Sequence, residues 1–359
     1  MAKRREWTRE TLAAGVRAGD TRALARAITL VENSDPLAYE LVSDVYPDTG
    51  SAYVVGVTGP PGVGKSSLIA ALIRHVREQG QTLGVISVDP SSPFSKGALL
   101  GDRIRLADHF LDPGVFIRSM GTRGHLGGLA EATLQAMLVL DAAGKDLVFV
   151  ETVGTGQSEV EVIGVADSVL LVLMPGSGDS IQALKAGIME IPDVIAINKK
   201  DHPAAKTMLN EVRSILSLDT ERAWKPPIVL TEAVTGEGVP ELWEKIVEHR
   251  KHLEDTGLLE GRRRDNLRGE VFELASARAK KHLERSVHGN EELERLLEQV
   301  HRRELDPLTA VKAIMDKVFN LPSGAELPSS GARLQSGSGE TFPGSGEHSH
   351  GDEDRTDTG

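Results

Sequence analysis

One octapeptide constrains this chain more than any other stretch: Gly59-Pro60-Pro61-Gly62-Val63-Gly64-Lys65-Ser66, set between the apolar run Ala52–Val57 and the helix-forming Ser67-Leu-Ile-Ala-Ala-Leu-Ile. It meets G-x-x-x-x-G-K-[ST] in full, a pattern that has meaning only with a strand before it and a helix after it. Both flanks are present. Glycines admit positive φ and put no Cβ in the way, so successive N–H groups can converge on one anion. A helix beginning near Lys65 adds the positive end of its dipole at the same point. The octapeptide, with Ser67 behind it, therefore reads as a cradle for the phosphates of a nucleoside triphosphate. Lys65 is placed to bridge the β- and γ-phosphates, and the Ser66 hydroxyl to ligate Mg²⁺.

From about residue 51, short apolar, β-branched runs alternate with helical stretches: Ala52–Val57, Leu83–Val88, Leu147–Val150, Val169–Leu173, Val194–Ile197 and Ile228–Leu230. Such runs fit strands buried on both faces, as a parallel sheet wrapped by helices requires. The expected fold class is α/β, a doubly wound, mostly parallel sheet with helical N-terminal and C-terminal extensions. In the first extension Leu12, Val16, Leu24, Ala27, Ile28 and Val31 recur at helical spacing, and Ser34-Asp35-Pro36 breaks the pattern and caps the next helix. After Pro240 the chain reads as helical through Lys317-Val-Phe, densely charged (Arg262-Arg263-Arg264, Lys280-Lys281) with a thin apolar stripe. A helix of that kind packs on its own domain or on a second subunit. From Asn320 onward Gly, Ser, Pro and acidic residues dominate, too little apolar surface to offset the entropy of ordering. The reading divides the chain into a helical extension (1–50), an α/β domain (51–250), a helical arm (251–319) and a disordered tail (320–359).

Composition removes several alternatives. With 41 basic against 53 acidic residues, a net charge of −12 and no strongly basic block, nucleic acid is not expected as the main partner. The absence of cysteine excludes a disulfide framework, a thiolate metal site and a cysteine nucleophile. The amino terminus turns polar before a signal-peptide core can form, and no run reaches the roughly 18 apolar residues of a membrane span. The expectation is a soluble, cytoplasmic protein.

Two further motifs narrow the nucleotide. Asn198-Lys199-Lys200-Asp201 follows the run Val194–Ile197 directly. After a late strand of a P-loop protein, N-K-x-D reads guanine: the Asp201 carboxylate accepts from N1–H and the exocyclic N2–H₂ together, a pair that adenine does not present. Thr231-Glu232-Ala233, after the last strand, offers the Ala233 N–H to guanine O6. Glu151-Thr152-Val153-Gly154 ends the run Leu147–Val150. There a carboxylate holds Mg²⁺ directly or through water, and Gly154 lets the backbone approach the γ-phosphate. Most GTPases carry Asp at this place. Gln157 stands three positions beyond Gly154, displaced from where a water-orienting residue would follow the glycine, which predicts slow intrinsic hydrolysis tuned by a partner. Asp89 and Asp102 are further candidates for the Mg²⁺ shell, although Asp89 equally suits a strand-end turn and Asp102 a helix cap.

Glu151 in place of Asp, together with Thr122-Arg-Gly-His-Leu-Gly-Gly, Glu151-Thr-Val-Gly-Thr-Gly-Gln-Ser-Glu and Gly187-Ile-Met-Glu-Ile-Pro-Asp, resembles the MeaB-type GTPases. These relatives of the human methylmalonic aciduria type A protein belong to a wider P-loop branch that also holds metallochaperone GTPases, and were once labelled ArgK or LAO/AO transport ATPases. The resemblance spans roughly residues 8–318 and leaves the tail uncovered. It implies a GTP/GDP-binding homodimer with a C-terminal dimerisation arm. It also implies a chaperone of an adenosylcobalamin-dependent acyl-CoA mutase, usually methylmalonyl-CoA mutase, that gates cofactor loading and protects or reactivates the mutase. Carried over by residue, it gives Lys65 and Glu151 to catalysis, Ser66, Asp89, Asp102 and Glu151 to the metal region, and Asn198, Lys199 and Asp201 to the base. Asp179, Gln182 and Lys185 fall in an additional switch loop toward the mutase, where Ser180 replaces a residue often acidic in relatives. A metallochaperone GTPase of the same branch would carry cysteine motifs that this chain lacks. A P-loop kinase linked to amino-acid transport sits poorly with a guanine reader.

Overall fold

A computed structural model describes residues 7–89, 106–121, 126–152, 164–176, 188–219 and 222–319. Three helices open the chain: α1 (Arg9–Arg17), α2 (Thr21–Glu32) and α3 (Pro36–Val45). Each start has a side-chain cap, from Thr8, Asp20 and Asp35, that accepts from backbone N–H groups left open by the first turn. Pro36 follows Asp35 at the first helical position, where its missing N–H costs nothing. The residues that recur at helical spacing, Leu12, Val16, Leu24, Ala27, Ile28 and Val31, are the buried ones.

The strands are β1 (Tyr53–Thr58), β2 (Leu83–Asp89), β3 (Val115–Gly121), β4 (Leu147–Thr152), β5 (Ser168–Leu173), β6 (Val194–Ile197) and β7 (Ile228–Leu230). They form one sheet in the order β3-β2-β4-β1-β5-β6-β7, with every pairing parallel. Every residue of β4, β5 and β6 is buried, as two-faced coverage demands. On one face α1 to α3 and α5 (Leu126–Ala142) pack on Ile86, Val88, Phe116, Val148 and Val150. On the other, α4 (Lys65–Glu78) and α7 (Val239–Asp255) cover Val55, Val57, Val85, Phe149 and Leu170. A third cluster joins α6 (Ala205–Leu216) to β5 and β6.

The α/β class and the helical extensions are as the sequence predicts, with one strand more. Val115-Phe-Ile-Arg118-Ser119-Met-Gly lacks a pure apolar run because β3 is an edge strand. Its Arg118 is half-buried and donates to Glu32 and to Thr29 Oγ1 on α2.

The edge of the sheet where the strands begin is held by buried charge. Asp167, just before β5, accepts from the Val54 N–H at 2.9 Å and takes a two-pronged contact from Arg263 at 2.8 Å. Asp193, just before β6, accepts from the Val169 N–H at 2.8 Å and from both terminal nitrogens of Arg262 at 2.8 and 3.1 Å. Arg262 and Arg263 lie in the first turns of α8 (Leu258–His288), so the basic run fastens that helix to its own domain. His249 of α7 completes the network, with Nδ1 2.5 Å from Ser168 Oγ, itself 2.6 Å from Tyr53 Oη, and Nε2 3.4 Å from Asp193. A carboxylate only accepts, so Nε2 carries the proton and the chain runs Tyr53 to Ser168 to Nδ1.

Residues 7–281 group into one compact unit and residues 282–319 belong to a second. The second holds the end of α8, then α9 (Glu291–His301), capped by Asn290, and α10 (Pro307–Phe319), around Val287, Leu293 and Ile314. Among the described residues no helix is long and apolar enough to cross a membrane.

Burial of His249 pushes its imidazole down to about 4, Asp193 opposing and Arg262 adding to the effect. The unfolded chain takes up that proton near pH 6.5, the folded chain only near pH 4, so stability is full above the first value and falls as pH drops to the second. At about 1.4 kcal/mol per pH unit, the loss is about 3 kcal/mol. Denaturant unfolding across this window should show that slope in the wild type and its absence in His249→Gln.

Candidate nucleotide-binding site

The C-terminal edge of a parallel sheet is where its strand ends, following loops and helix N-termini converge. β1 lies in the middle, between β4 and β5, and the octapeptide leaves its end and turns into α4. Two glycines are required there. Gly59 has φ 141° and a Cβ would collide with the Val172 carbonyl oxygen; Gly64, the cap of α4, has φ 97° and a Cβ would collide with Asn198 Nδ2.

Lys65 is buried, and its Nζ donates to the carbonyls of Gly59 at 2.7 Å and Pro60 at 3.0 Å, curled under the loop. The Ser66 hydroxyl donates to Glu151 Oε1 at 2.6 Å, and the Ser87 hydroxyl to Oε2 at 3.2 Å. Glu151 reaches this point because its register on β4 sets it beside Val57 of β1 and Ser87 of β2. A buried carboxylate thus stands against the first turn of α4, where the helix dipole favours negative charge. Ser67 is half-buried in the same turn.

The second half of the site follows β6 and β7. Asn198 is a strut: Nδ2 donates to the Val63 carbonyl at 2.9 Å, and Oδ1 accepts from the Ala233 N–H at 3.1 Å and from Thr231 Oγ1 at 3.4 Å. It ties the phosphate loop to the loop after β7. Lys199 adopts φ 59°, and the Lys200 N–H donates to the Thr231 carbonyl at 3.0 Å. Asp201 is exposed, and burial first, with Asp201 second, pushes the nearby Glu232 carboxyl above its ordinary range.

Gly59 to Ser67, Glu151, Asn198, Lys199, Asp201 and Ala233 therefore gather on one edge. Asp89 is described as the last residue of β2 in backbone only. Asp102, Gly154, Gln157, Asp179, Gln182 and Lys185 lie outside the described residues. One group carries no motif signal in the sequence: Ser87, placed beside Glu151 by strand register.

Residues 24–288 match the family described as "Methylmalonyl Co-A mutase-associated GTPase MeaB". The chain belongs to the MeaB family of GTPases. A protein of Pyrococcus horikoshii named as a GTPase is 49% identical over 304 residues, 84% of this chain and 95% of the relative. The mouse "Methylmalonic aciduria type A homolog, mitochondrial" is 35% identical, covering 71% of this chain and 66% of that one. A crystal structure of an LAO/AO transport system kinase superposes with a TM-score of 0.66 at 28% identity, covering 89% of this chain and all of that one. This MeaB-family chain binds guanine nucleotide and hydrolyses GTP to GDP and phosphate.

Removing the strut should loosen both loops. In Asn198→Ala the buried Val63 carbonyl and Ala233 N–H lose their partner, and stability should fall by about 2 kcal/mol. A fluorescent-GDP titration beside a thermal melt checks the companion expectation, affinity weaker by about tenfold.

Proposed function

We propose that this GTPase serves as a chaperone of an adenosylcobalamin-dependent acyl-CoA mutase, methylmalonyl-CoA mutase foremost, gating cofactor loading and protecting or reactivating the mutase. One observation carries the reading: the match to a family described as mutase-associated runs from residue 24 to 288, and so takes in most of α2 and all of α3 and α8 outside the phosphate-binding core. The name of the mouse relative supports it.

In this reading Lys65 leaves the carbonyls of Gly59 and Pro60 for the β- and γ-phosphate oxygens, and the loop N–H groups receive the phosphates. Ser66 and Glu151, buried and 2.6 Å apart, are the hard oxygen donors that suit Mg²⁺ and would hold it. Bound there, Mg²⁺ neutralises charge on the β- and γ-phosphates. Asp201 takes N1–H and N2–H₂ of guanine. Hydrolysis is slow until the mutase orders the groups that position the attacking water, with Asp179, Gln182 and Lys185 in the loop that communicates with it. A second copy covers the α8 stripe Leu267, Val271 and Phe272, the last two more than 60% exposed.

Asp201→Asn should trade GTP for xanthosine triphosphate, whose base has a carbonyl where guanine has a donor; a GTPase assay with both nucleotides reads the exchange. Purified methylmalonyl-CoA mutase should co-elute with the protein and raise its GTPase rate. No association with GDP or a non-hydrolysable GTP analogue would sink the chaperone reading and leave the GTPase intact. Light scattering should find a dimer in the wild type and a monomer in Phe272→Glu. The name of the solved kinase favours a second reading, phosphoryl transfer to an acceptor. A phosphorylated acceptor in place of free phosphate would establish it.

A further inference from the structure

Ser87 places a hydroxyl inside an apolar strand. β2 reads Leu83-Gly-Val-Ile-Ser87-Val-Asp89, and from Leu83 to Val88 no other side chain is polar. Ser87 is buried. A buried hydroxyl costs free energy unless it finds a hydrogen-bond partner, and a strand covered on both faces is better served by Ala or Val. Val85 and Phe149, two residues earlier on β2 and β4, pack beneath α4, so the two-residue period of a strand turns Ser87 and Glu151 to that same face. The register sets the two directly side by side. The Ser87 hydroxyl meets its partner there, donating to Glu151 Oε2 at 3.2 Å.

The buried Glu151 carboxylate thus takes a hydroxyl on each oxygen, Ser66 on Oε1 at 2.6 Å and Ser87 on Oε2. The two donors differ in what else they do. Ser66 lies in the first turn of α4, behind the phosphate loop, and its oxygen is the one a cation claims. Ser87 lies on a strand paired on both sides, to β3 and to β4, and nothing draws its bond away. Its bond is the longer one, with room to tighten as the carboxylate turns. A glutamate side chain rotates about several bonds, so an anchor from the sheet is what fixes the plane of its carboxylate.

Resting on the reading of Ser66 and Glu151 as the Mg²⁺ site, we propose that Ser87 is a positioning residue for that site: its O–H holds Oε2, sets the plane of the carboxylate and keeps Oε1 on the side of Ser66. Mg²⁺ tolerates little departure from octahedral geometry, so the orientation of an oxygen donor counts as much as its presence. Groups that orient metal ligands from behind are typically worth about 10–100-fold in affinity.

The test uses the full chain and a fluorescent, non-hydrolysable GTP analogue, titrated once in Mg²⁺ and once in EDTA. The ratio of the two dissociation constants measures how far the cation tightens binding, and it cancels damage unrelated to the metal. Ser87→Ala, which removes only the hydroxyl, should lower that ratio by about tenfold and leave the affinity in EDTA at the wild-type value. Ser87→Thr, which keeps the hydroxyl, should keep the wild-type ratio. A ratio in Ser87→Ala that stays at the wild-type value overturns the proposal, whether affinity is unchanged or falls equally in both conditions. A Thr variant as poor as the Ala variant overturns it too. Glu151→Gln separates the levels. If the ratio survives that change, the metal reading fails and the role of Ser87 goes with it. If it collapses there beside an unchanged Ser87→Ala, the Ser87 assignment falls alone.

Discussion

All the strands run the same way, and the rest of the molecule follows from that. A parallel sheet brings every strand end to one edge and every strand start to the other, and its connections must cover both faces. The interiors of the doubly covered strands are accordingly mostly apolar, and polar chemistry gathers toward their tips. Thr58 ends β1, Glu151 is the penultimate residue of β4, Asn198 directly follows β6, and the Thr231–Ala233 turn follows β7. The P-loop, the oxygen pair of Ser66 and Glu151 and the loop of Asn198 to Asp201 line one edge because the sheet leaves them nowhere else to be.

The opposite edge shows the complementary arrangement. Asp167 and Asp193 bind backbone N–H groups at the starts of neighbouring strands and hold arginines of α8. Breaking either buried pair would strand a charge, which costs about 3–5 kcal/mol. Among the described residues, the P-loop edge holds polar groups by exchangeable partners. Lys65 is satisfied by loop carbonyls that it can exchange for phosphate oxygens, and Ser66 by a carboxylate that it can share with a cation. Rigidity at one edge and exchangeable partners at the other suit a switch.

Between the two halves of the site stands one side chain. Asn198 uses both ends of its amide, so a shift of the phosphate loop reaches the base loop through two hydrogen bonds. Gly64 lies against the same amide, and a side chain there would displace the strut. The glycine of the P-loop motif thus answers to the asparagine of the guanine motif, about 130 residues later, a dependence that neither motif reveals alone.

The sequence by itself determined the α/β class, the phosphate cradle and the order of motifs, because runs buried on both faces and glycines that no other residue can replace leave unmistakable local patterns. It also carried enough of the family strings to name the resemblance. Only the tertiary structure decided the rest. β3 escaped the strand pattern because an edge strand need not be apolar throughout, and Arg118 finds its carboxylate on α2. The sequence left open whether the helix of Arg262 and Arg263 packs on its own domain or on a second subunit, and their pairs with Asp193 and Asp167 fasten its start to its own domain. Ser87 meets Glu151 through strand register, and Asn198 meets Val63 and Ala233 through converging loops. Pairings across tens of residues depend on where backbones come to rest, and no local spacing records them.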